Sequence, residues 1–276
     1  MHRSGTSLVT QWLYKCGLQI GDQLAGPGRG NVEGHFEDLD FLHLHESILT
    51  NKNQPPTGFV TTTLTEIDKD SIVSIQSLLQ FKSNINQDWG WKEPRTCLFL
   101  EQYRNLLPSA KYIVLYRNFN EVVDSLIRRD FKNLESKFLR KSNSLSRFFW
   151  KHYKRKRQLA ALYKEKATYY LKVWIVYNEQ LLLHMQSIEI NNFIAINIES
   201  LVGYSKRVFE CIQQQWHFNL CYEDYRKVYK ENLFQSKADI TVFIKDGTLL
   251  RHANDLMREL YTLHFNGSAC ETRNES

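Results

Sequence analysis

The sequence has no long uninterrupted run of apolar residues. A helix that crosses a bilayer needs about twenty such residues, and no run approaches that length, so we expect no membrane span. The opening residues, Met1 to Gly5, also lack the apolar core of a signal peptide. From these two absences we predict a cytoplasmic protein.

Cysteines are few and scattered. There are five of them, an odd number, and no C-x-x-C pair occurs. This spacing predicts neither a disulfide framework nor a zinc site, and most of the cysteines are expected to be buried thiols in a reducing compartment. His43 and His45 share one helical segment without a third ligand. We therefore predict that no metal is bound.

A strong charge bias is also absent. The 36 lysines and arginines exceed the 30 acids by only six, which favours anionic ligands without implying nucleic acid, and we expect no nucleic-acid partner. The one basic block, Lys151 to Arg157, has two open interpretations. It steers an anionic donor or acceptor, or it is a solvated helix face. The oligomeric state is not readable from the sequence.

The pattern of apolar segments indicates an α/β protein. We predict one domain over residues 1–265, followed by a polar tail at 266–276, and we find no internal repeat. The run Lys111–Tyr116 is typical of a parallel strand that is covered on both faces, and a helical segment, Glu121–Arg129, follows at once.

Apolar periodicity predicts further elements along the chain. The predicted strands are Trp89–Lys92 and Phe193–Asn197. The predicted helices are Leu8–Cys16, Leu39–Leu49, Ser71–Phe81, Tyr169–Met185, Val208–Trp216 and Leu249–Phe265.

A candidate anion site opens the chain, at Arg3-Ser4-Gly5-Thr6-Ser7. The first N–H groups of a helix lack internal partners, the helix dipole is positive there, and a glycine allows an anion to approach the backbone. This pattern suits a phosphate or phosphosulfate, but it is equally typical of a helix N-cap without a ligand. The loop differs from that of P-loop kinases, because the chain contains no G-x-x-x-x-G-K-[ST].

A second candidate site follows the clearest strand. Arg117 comes directly after that strand, and Ser125 lies eight residues later on the following helix. Ligands of α/β sheets bind beyond the carboxyl ends of the strands, where both side chains can hold one phosphate. The alternative is a strand-terminal arginine that bonds to helix carbonyls.

Together the two sites resemble the PAPS-dependent sulfotransferase family, in which PAPS is 3′-phosphoadenosine-5′-phosphosulfate. A helix-opening [KR]-S-G-T-[ST] loop is followed by a strand, R-N, six residues and S-L, as at residues 3–7 and 117–126. W-G-W-K-E-P-R at 89–95 is similar to the W-G-W-K-D-P-R of bacterial members. G-H-F-E-D at 34–38 and I-E-S-L at 198–201 also match family patterns, so the resemblance covers most of the chain.

The resemblance implies a three-layer α/β fold with a central parallel sheet, the P-loop-like sulfotransferase fold. It implies transfer of a sulfuryl group from PAPS to a hydroxyl of a glycan, small alcohol or phenol, without a metal. By position, Arg3, Ser4, Gly5, Thr6 and Ser7 would bind the 5′-phosphosulfate. Arg117 and Ser125 would bind the 3′-phosphate.

Two more residues complete the predicted site. Lys92 is a candidate contact of the transferred group together with Arg3, and the alternative is a surface lysine beside Glu93. The acceptor hydroxyl needs a general base, for which we choose Glu37, with His35 as the substitute. Both follow a glycine-rich loop at 26–34, and the neighbouring Asp38 fits a helix cap better.

The chain departs from the family pattern in three places. Members place an apolar strand and a glycine before the first loop, whereas Met1 almost coincides with it here. Phe119 stands where members often have proline, and Glu93 replaces the commoner aspartate. The first departure leads us to expect a shortened fold whose first strand is missing. The alternative function is therefore an inactive nucleotide- or partner-binding protein.

Overall fold

The computed structural model describes residues 1–26, 34–64, 66–229 and 238–264, and this part of the chain is mixed α/β and mostly helical. Its two strands are β1 (Tyr112–Tyr116) and β2 (Phe193–Asn197). The α-helices are α1 (Thr6–Lys15), α2 (Leu39–Asn51), α3 (Lys69–Ile85), α4 (Leu100–Leu106), α5 (Phe119–Lys141), α6 (Ser144–Phe149), α7 (Arg155–Met185), α8 (Leu201–Gln214) and α9 (Gly247–Thr262).

The two strands form a parallel sheet that is covered by helices on both faces. β1 and β2 pair over their full length. Successive side chains of a strand point to opposite faces. Accordingly, Val114 packs in the apolar cluster formed with α5, α7 and α9, while Leu115 packs in a second cluster with α1 and α8. The predicted α/β class and the predicted covering of both faces are therefore confirmed for these strands.

Helix α7 is longer than the sequence pattern predicts. Its buried part includes Leu171 and Trp174, both fully buried in the core. The helix begins at Arg155, ahead of the predicted Tyr169. The sequence pattern missed this start because the first turn of the helix carries only exposed polar residues, which give no apolar periodicity. Residues 151–157 are all exposed, in agreement with a solvated face. None of the described helices combines the length and the apolar character that a membrane crossing requires.

One predicted strand does not form. Trp89–Lys92 makes only an isolated parallel bridge, between Trp89 and Gln19, and Pro94 then opens a short 3₁₀ helix. A strand needs a partner along its length, and in the described part of the chain this segment has one at Trp89 alone. Most of the glycine-rich loop and the whole tail at 266–276 lie outside the described residues.

The cysteines behave differently from one another. Cys16, Cys97 and Cys221 are free thiols, and of these only Cys16 is buried. Cys211, on α8, is disulfide-bonded, which the scattered spacing does not predict. Disulfides are typical of oxidising compartments. The cytoplasmic location therefore stays a prediction without support from the cysteines.

Candidate functional site

The N-terminus of α1 carries no side-chain cap. Its N-cap residue is Gly5 at a φ of 85°, a left-handed conformation that glycine adopts at little cost, and Arg3 also has a positive φ of 64°. The Gly5 carbonyl accepts from Leu8 N at 3.0 Å. Because glycine has no acceptor side chain, no side chain caps the first turn that follows Gly5, and the positive potential of that turn is available to a ligand. The segment does open a helix, with Gly5 rather than a serine or threonine as its N-cap residue, and ligand binding at this segment stays a prediction.

The first loop and the end of β1 meet, as the sequence predicts. Arg3 Nε donates to Ser125 Oγ at 2.8 Å. Arg117, buried at the end of β1, donates from Nη1 to the Arg3 carbonyl at 3.4 Å and from Nε to Glu121 Oε2 at 2.8 Å. The predicted residues therefore converge, but Ser125 bonds to Arg3, whereas the sequence paired it with Arg117.

Lys92 bridges the first loop and the predicted base. Its Nζ lies 3.1 Å from Ser7 Oγ and 2.9 Å from Glu37 Oε1. The side chains of Lys92 and Glu37 are only 10% and 12% exposed. Burial lowers the pKa of Lys92, although the charge of Glu37 opposes that shift. Lys92 is therefore an interior residue of the site, and the alternative of a surface lysine is wrong.

Positive charge accumulates around the loop. Burial, with the neighbouring charges of Arg129 and Arg117, lowers the pKa of Arg3 to about 10. Arg129 belongs to α5 and lies over the ring of Phe59, with its guanidinium carbon 5.0 Å from the ring centroid. A cluster of cations that destabilise one another is typical of a site that receives an anion. The sequence analysis did not select Arg129, because nothing in its spacing distinguishes it from other surface arginines.

His35 lies near the same charges. Burial lowers its pKa, and the charges of Lys92 and Arg3 lower it further, against the opposing charge of Glu37. Asp38, in contrast, accepts from the backbone N of Asp40 at 2.9 Å and caps α2, as the sequence predicts. Glu37 and His35 are both still candidates for the general base. Of the two, Glu37 is the one that accepts a hydrogen bond from Lys92. The assignment of the base stays a prediction.

A buried network of hydrogen bonds surrounds Glu93, the residue that follows Lys92. Glu93 Oε2 lies 2.6 Å from His45 Nδ1 and accepts from the Arg95 backbone N at 2.8 Å, and His45 Nε2 lies 2.7 Å from the Tyr103 hydroxyl. Burial alone raises the pKa of Glu93, but the hydrogen bond and charge of His45, with the charge of Arg95, lower it to about 2. The network holds the backbone beside Lys92 in one position.

The same network accounts for both ring nitrogens of His45. Both of its ring nitrogens have protein partners, and no cluster of the described residues has the side chains to hold a metal ion. A second histidine, His2, is half-buried beside Arg3, with Nε2 3.2 Å from the Thr57 carbonyl. Burial holds its pKa well below the usual value. The sequence analysis missed both roles, because the partners are more than forty residues away in each case.

Comparison with known proteins adds no relative. No protein-family model, curated protein or solved structure matches this chain. The function of the site therefore has to be argued from its residues, their geometry and the motifs that they form.

Proposed function

We propose that this chain is a sulfotransferase that moves a sulfuryl group from PAPS to the hydroxyl of an acceptor. The observation that carries the proposal is a convergence. Arg3, Lys92 and Arg117, which are far apart in sequence, meet at an uncapped helix N-terminus. Such a surface suits a donor with two separate anionic groups, since cations and free N–H groups stabilise both.

The donor is held in the proposal by two groups of residues. Arg3, Ser4, Gly5, Thr6 and Ser7 bind the 5′-phosphosulfate. The uncapped first turn of α1, which begins at Thr6, supports this assignment because its N–H groups can donate to sulfate oxygens. In this proposal the sheet belongs to the P-loop-like sulfotransferase fold, and the helices on both faces of β1 and β2 support that.

Arg117 and Ser125 bind the 3′-phosphate. A hydroxyl accepts and donates at the same time. Because Ser125 Oγ accepts from Arg3, its own O–H hydrogen can point to a phosphate oxygen. The bond between Arg3 and Ser125 thus links the parts of the site that hold the two ends of the donor.

The transfer itself needs one proton acceptor and one cation. Glu37 takes the proton of the acceptor hydroxyl, whose oxygen forms a bond to sulfur while the bond from sulfur to the bridging phosphate oxygen breaks. Lys92 lies between Ser7 and Glu37 and stabilises the negative charge that develops on the leaving oxygen. Adenosine 3′,5′-bisphosphate leaves. In this proposal neither the proton transfer nor the sulfuryl transfer requires a metal ion.

The acceptor is a small molecule or glycan with a free hydroxyl. The test is transfer of ³⁵S from labelled PAPS to a panel of glycans, alcohols and phenols, with Glu37→Gln as the matched control. We expect label on at least one acceptor and a loss of roughly 10²–10⁴-fold in the control. Release of label to water only, at one rate in both proteins, would contradict the proposal.

A further inference from the structure

A ridge of exposed apolar side chains runs along α6 and the π-helical turn, Trp150–Lys154, that joins α6 to α7. It consists of Leu145, Phe148, Phe149 and Tyr153, and Leu145 and Phe148 are 66% and 52% exposed. The rings are contiguous, because the centroid of Phe149 lies 6.0 Å from that of Phe148 and 5.9 Å from that of Tyr153. We call this set the apolar ridge. Exposed apolar patches of this kind mark interaction sites.

The ridge does not hold its helix on the rest of the chain, because Trp150 does so from the other side. The buried Trp150 ring stacks on Phe138 and Phe131, with centroid distances of 4.4 Å and 6.2 Å. Its indole N–H donates to Glu135 Oε1 at 2.9 Å, and Arg155 Nε donates to the same oxygen at 2.7 Å. The packing requirement of this segment is therefore met without the ridge, whose apolar surface is left for a partner.

The stretch around the ridge carries positive charge only. No acidic residue occurs between Glu135 and Glu165. The basic residues of this stretch are Lys137, Arg140, Lys141, Arg147, Lys151, Lys154, Arg155, Lys156, Arg157 and Lys164. Arg155 pairs with Glu135, whereas within the described ranges the exposed Lys151, Lys154 and Lys156 form no ion pair. A dense group of exposed cations attracts an anionic surface.

We propose that the apolar ridge and these three lysines bind the surface of an anionic lipid bilayer, with the helix lying in the plane of the headgroups. Leu145 and Phe148, which have no polar side-chain atom, insert at the boundary of the acyl chains. Tyr153 adds an apolar ring with a hydroxyl that stays at the headgroups. The lysines meet the lipid phosphates and carboxylates. This inference does not depend on the proposed function.

The apolar half of the surface favours a bilayer over an acidic polymer. A nucleic acid or an acidic polysaccharide also attracts lysines, and bases stack on aromatic rings. Neither polymer offers an apolar phase to an aliphatic side chain such as Leu145. Helices that lie on membranes combine Leu and Phe with Lys and Arg in one segment, as residues 144–157 do.

The test is co-sedimentation of the full chain with vesicles of equimolar phosphatidylcholine and phosphatidylserine, and with vesicles of phosphatidylcholine alone. The first variant combines Leu145→Ser with Phe148→Ser. Its matched control combines Val73→Ser with Phe81→Ser on α3, where the side chains are 58% and 55% exposed. Because all four side chains are exposed, the melting temperature should change little in either protein.

The second variant replaces the three lysines of the proposed surface by glutamine. Its matched control makes the same replacement at three exposed lysines elsewhere, which are Lys69, Lys206 and Lys245. The two proteins have the same net charge, so a difference between them reports the position of the charges.

We expect binding to the vesicles with phosphatidylserine and much weaker binding to phosphatidylcholine alone. The ridge variant should weaken binding on the order of 10-fold, and the lysine variant on the order of 100-fold, while both controls bind like the unchanged chain. Failure of the unchanged chain to bind either vesicle, or equal losses in a variant and its control, would overturn the proposal.

Two further results would assign the surface to another partner and overturn the proposal. One is binding to heparin or duplex DNA that the lysine variant loses and the ridge variant keeps, with no binding to vesicles. The other is self-association in sedimentation velocity that the ridge variant abolishes, again with no binding to vesicles, which would assign the ridge to a second copy of the chain.

Discussion

Arg3 and Ser125 are joined by a 2.8 Å hydrogen bond although they lie 122 residues apart in sequence. The bond connects the loop that opens α1 with the second turn of α5. Arg117 lies beside it, through its contact with the Arg3 carbonyl. A ligand that binds at one side of this bond therefore lies near the residues at the other side.

Arg117→Ala should weaken binding of adenosine 3′,5′-bisphosphate by roughly 2–3 kcal/mol, the scale of a lost charge-assisted hydrogen bond. Binding of 5′-AMP, which lacks the 3′-phosphate, should change much less. Calorimetry measures both ligands. Arg128→Ala is the matched control, because Arg128 pairs with the carboxylate of Asp124 as Arg117 pairs with that of Glu121. Equal losses for the two ligands would remove Arg117 from the 3′-phosphate site.

Glu37→Gln should lower turnover by roughly 10²–10⁴-fold and leave donor affinity nearly unchanged, because a proton acceptor acts in the transition state rather than in donor binding. His35→Ala is the comparison, since His35 lies near the same charges. Steady-state rates and donor calorimetry separate the two effects. An active Glu37→Gln together with an inactive His35→Ala would assign the base to His35.

Lys92→Met should lower turnover by roughly 10²–10³-fold, the range for loss of one donor to a developing negative charge. Lys92→Arg keeps the charge and should recover part of the rate. Melting temperatures serve as the control, because Lys92 also holds Ser7 and Glu37. A rate that Lys92→Met leaves intact would exclude Lys92 from the transfer step.

Glu93 should make stability depend on acid pH. Its pKa is about 2 in the folded chain, against about 4.3 in an unfolded one. A depressed folded pKa stabilises the fold above the unfolded value, and this stabilisation is lost as the pH falls from about 4.3 toward 2. Urea unfolding at several pH values should show a weaker pH dependence for Glu93→Gln. Glu165→Gln is the control, since the Glu165 side chain is 65% exposed, and an unchanged slope in Glu93→Gln would contradict this account.

Lys82→Met should destabilise the chain by roughly 3–5 kcal/mol, the cost of leaving a buried charge without its partner. The Lys82 side chain is 1% exposed, and its ammonium lies 3.0 Å from Asp38, which is equally buried. Chemical denaturation gives the free energy of unfolding. Lys69→Met, at an exposed position on the same helix, should change little. If adding Asp38→Asn to Lys82→Met recovers no stability, the buried pair is not the cause.

The sequence predicted those parts of the fold whose signals are local. Helix α2 begins where predicted because Asp38 caps it, and β1 matches its apolar run. The segment Trp89–Lys92 has an equally suitable local pattern, but pairing depends on a distant backbone, which no local pattern reveals.

The sequence predicted which residues belong to the candidate site, but it did not predict the hydrogen bonds between them. Motifs brought Arg3 and Ser125 into one prediction, but which donor meets which acceptor depends on packing between α1 and α5. The pair of His45 and Glu93 spans 48 residues and follows no periodicity, so it was missed entirely. A residue whose role depends on long-range contacts has no signature in a single sequence.

The most direct test of the proposed function is calorimetric titration with adenosine 3′,5′-bisphosphate in the presence of a magnesium chelator. We predict binding without magnesium, with an affinity above that of 5′-AMP by about 2–3 kcal/mol, or roughly 30- to 150-fold, because the proposed function assigns Arg117 and Ser125 to the 3′-phosphate. Binding of the bisphosphate no tighter than that of 5′-AMP would contradict the proposal that this chain is a sulfotransferase. So would a chain that binds magnesium-ATP and does not bind the bisphosphate.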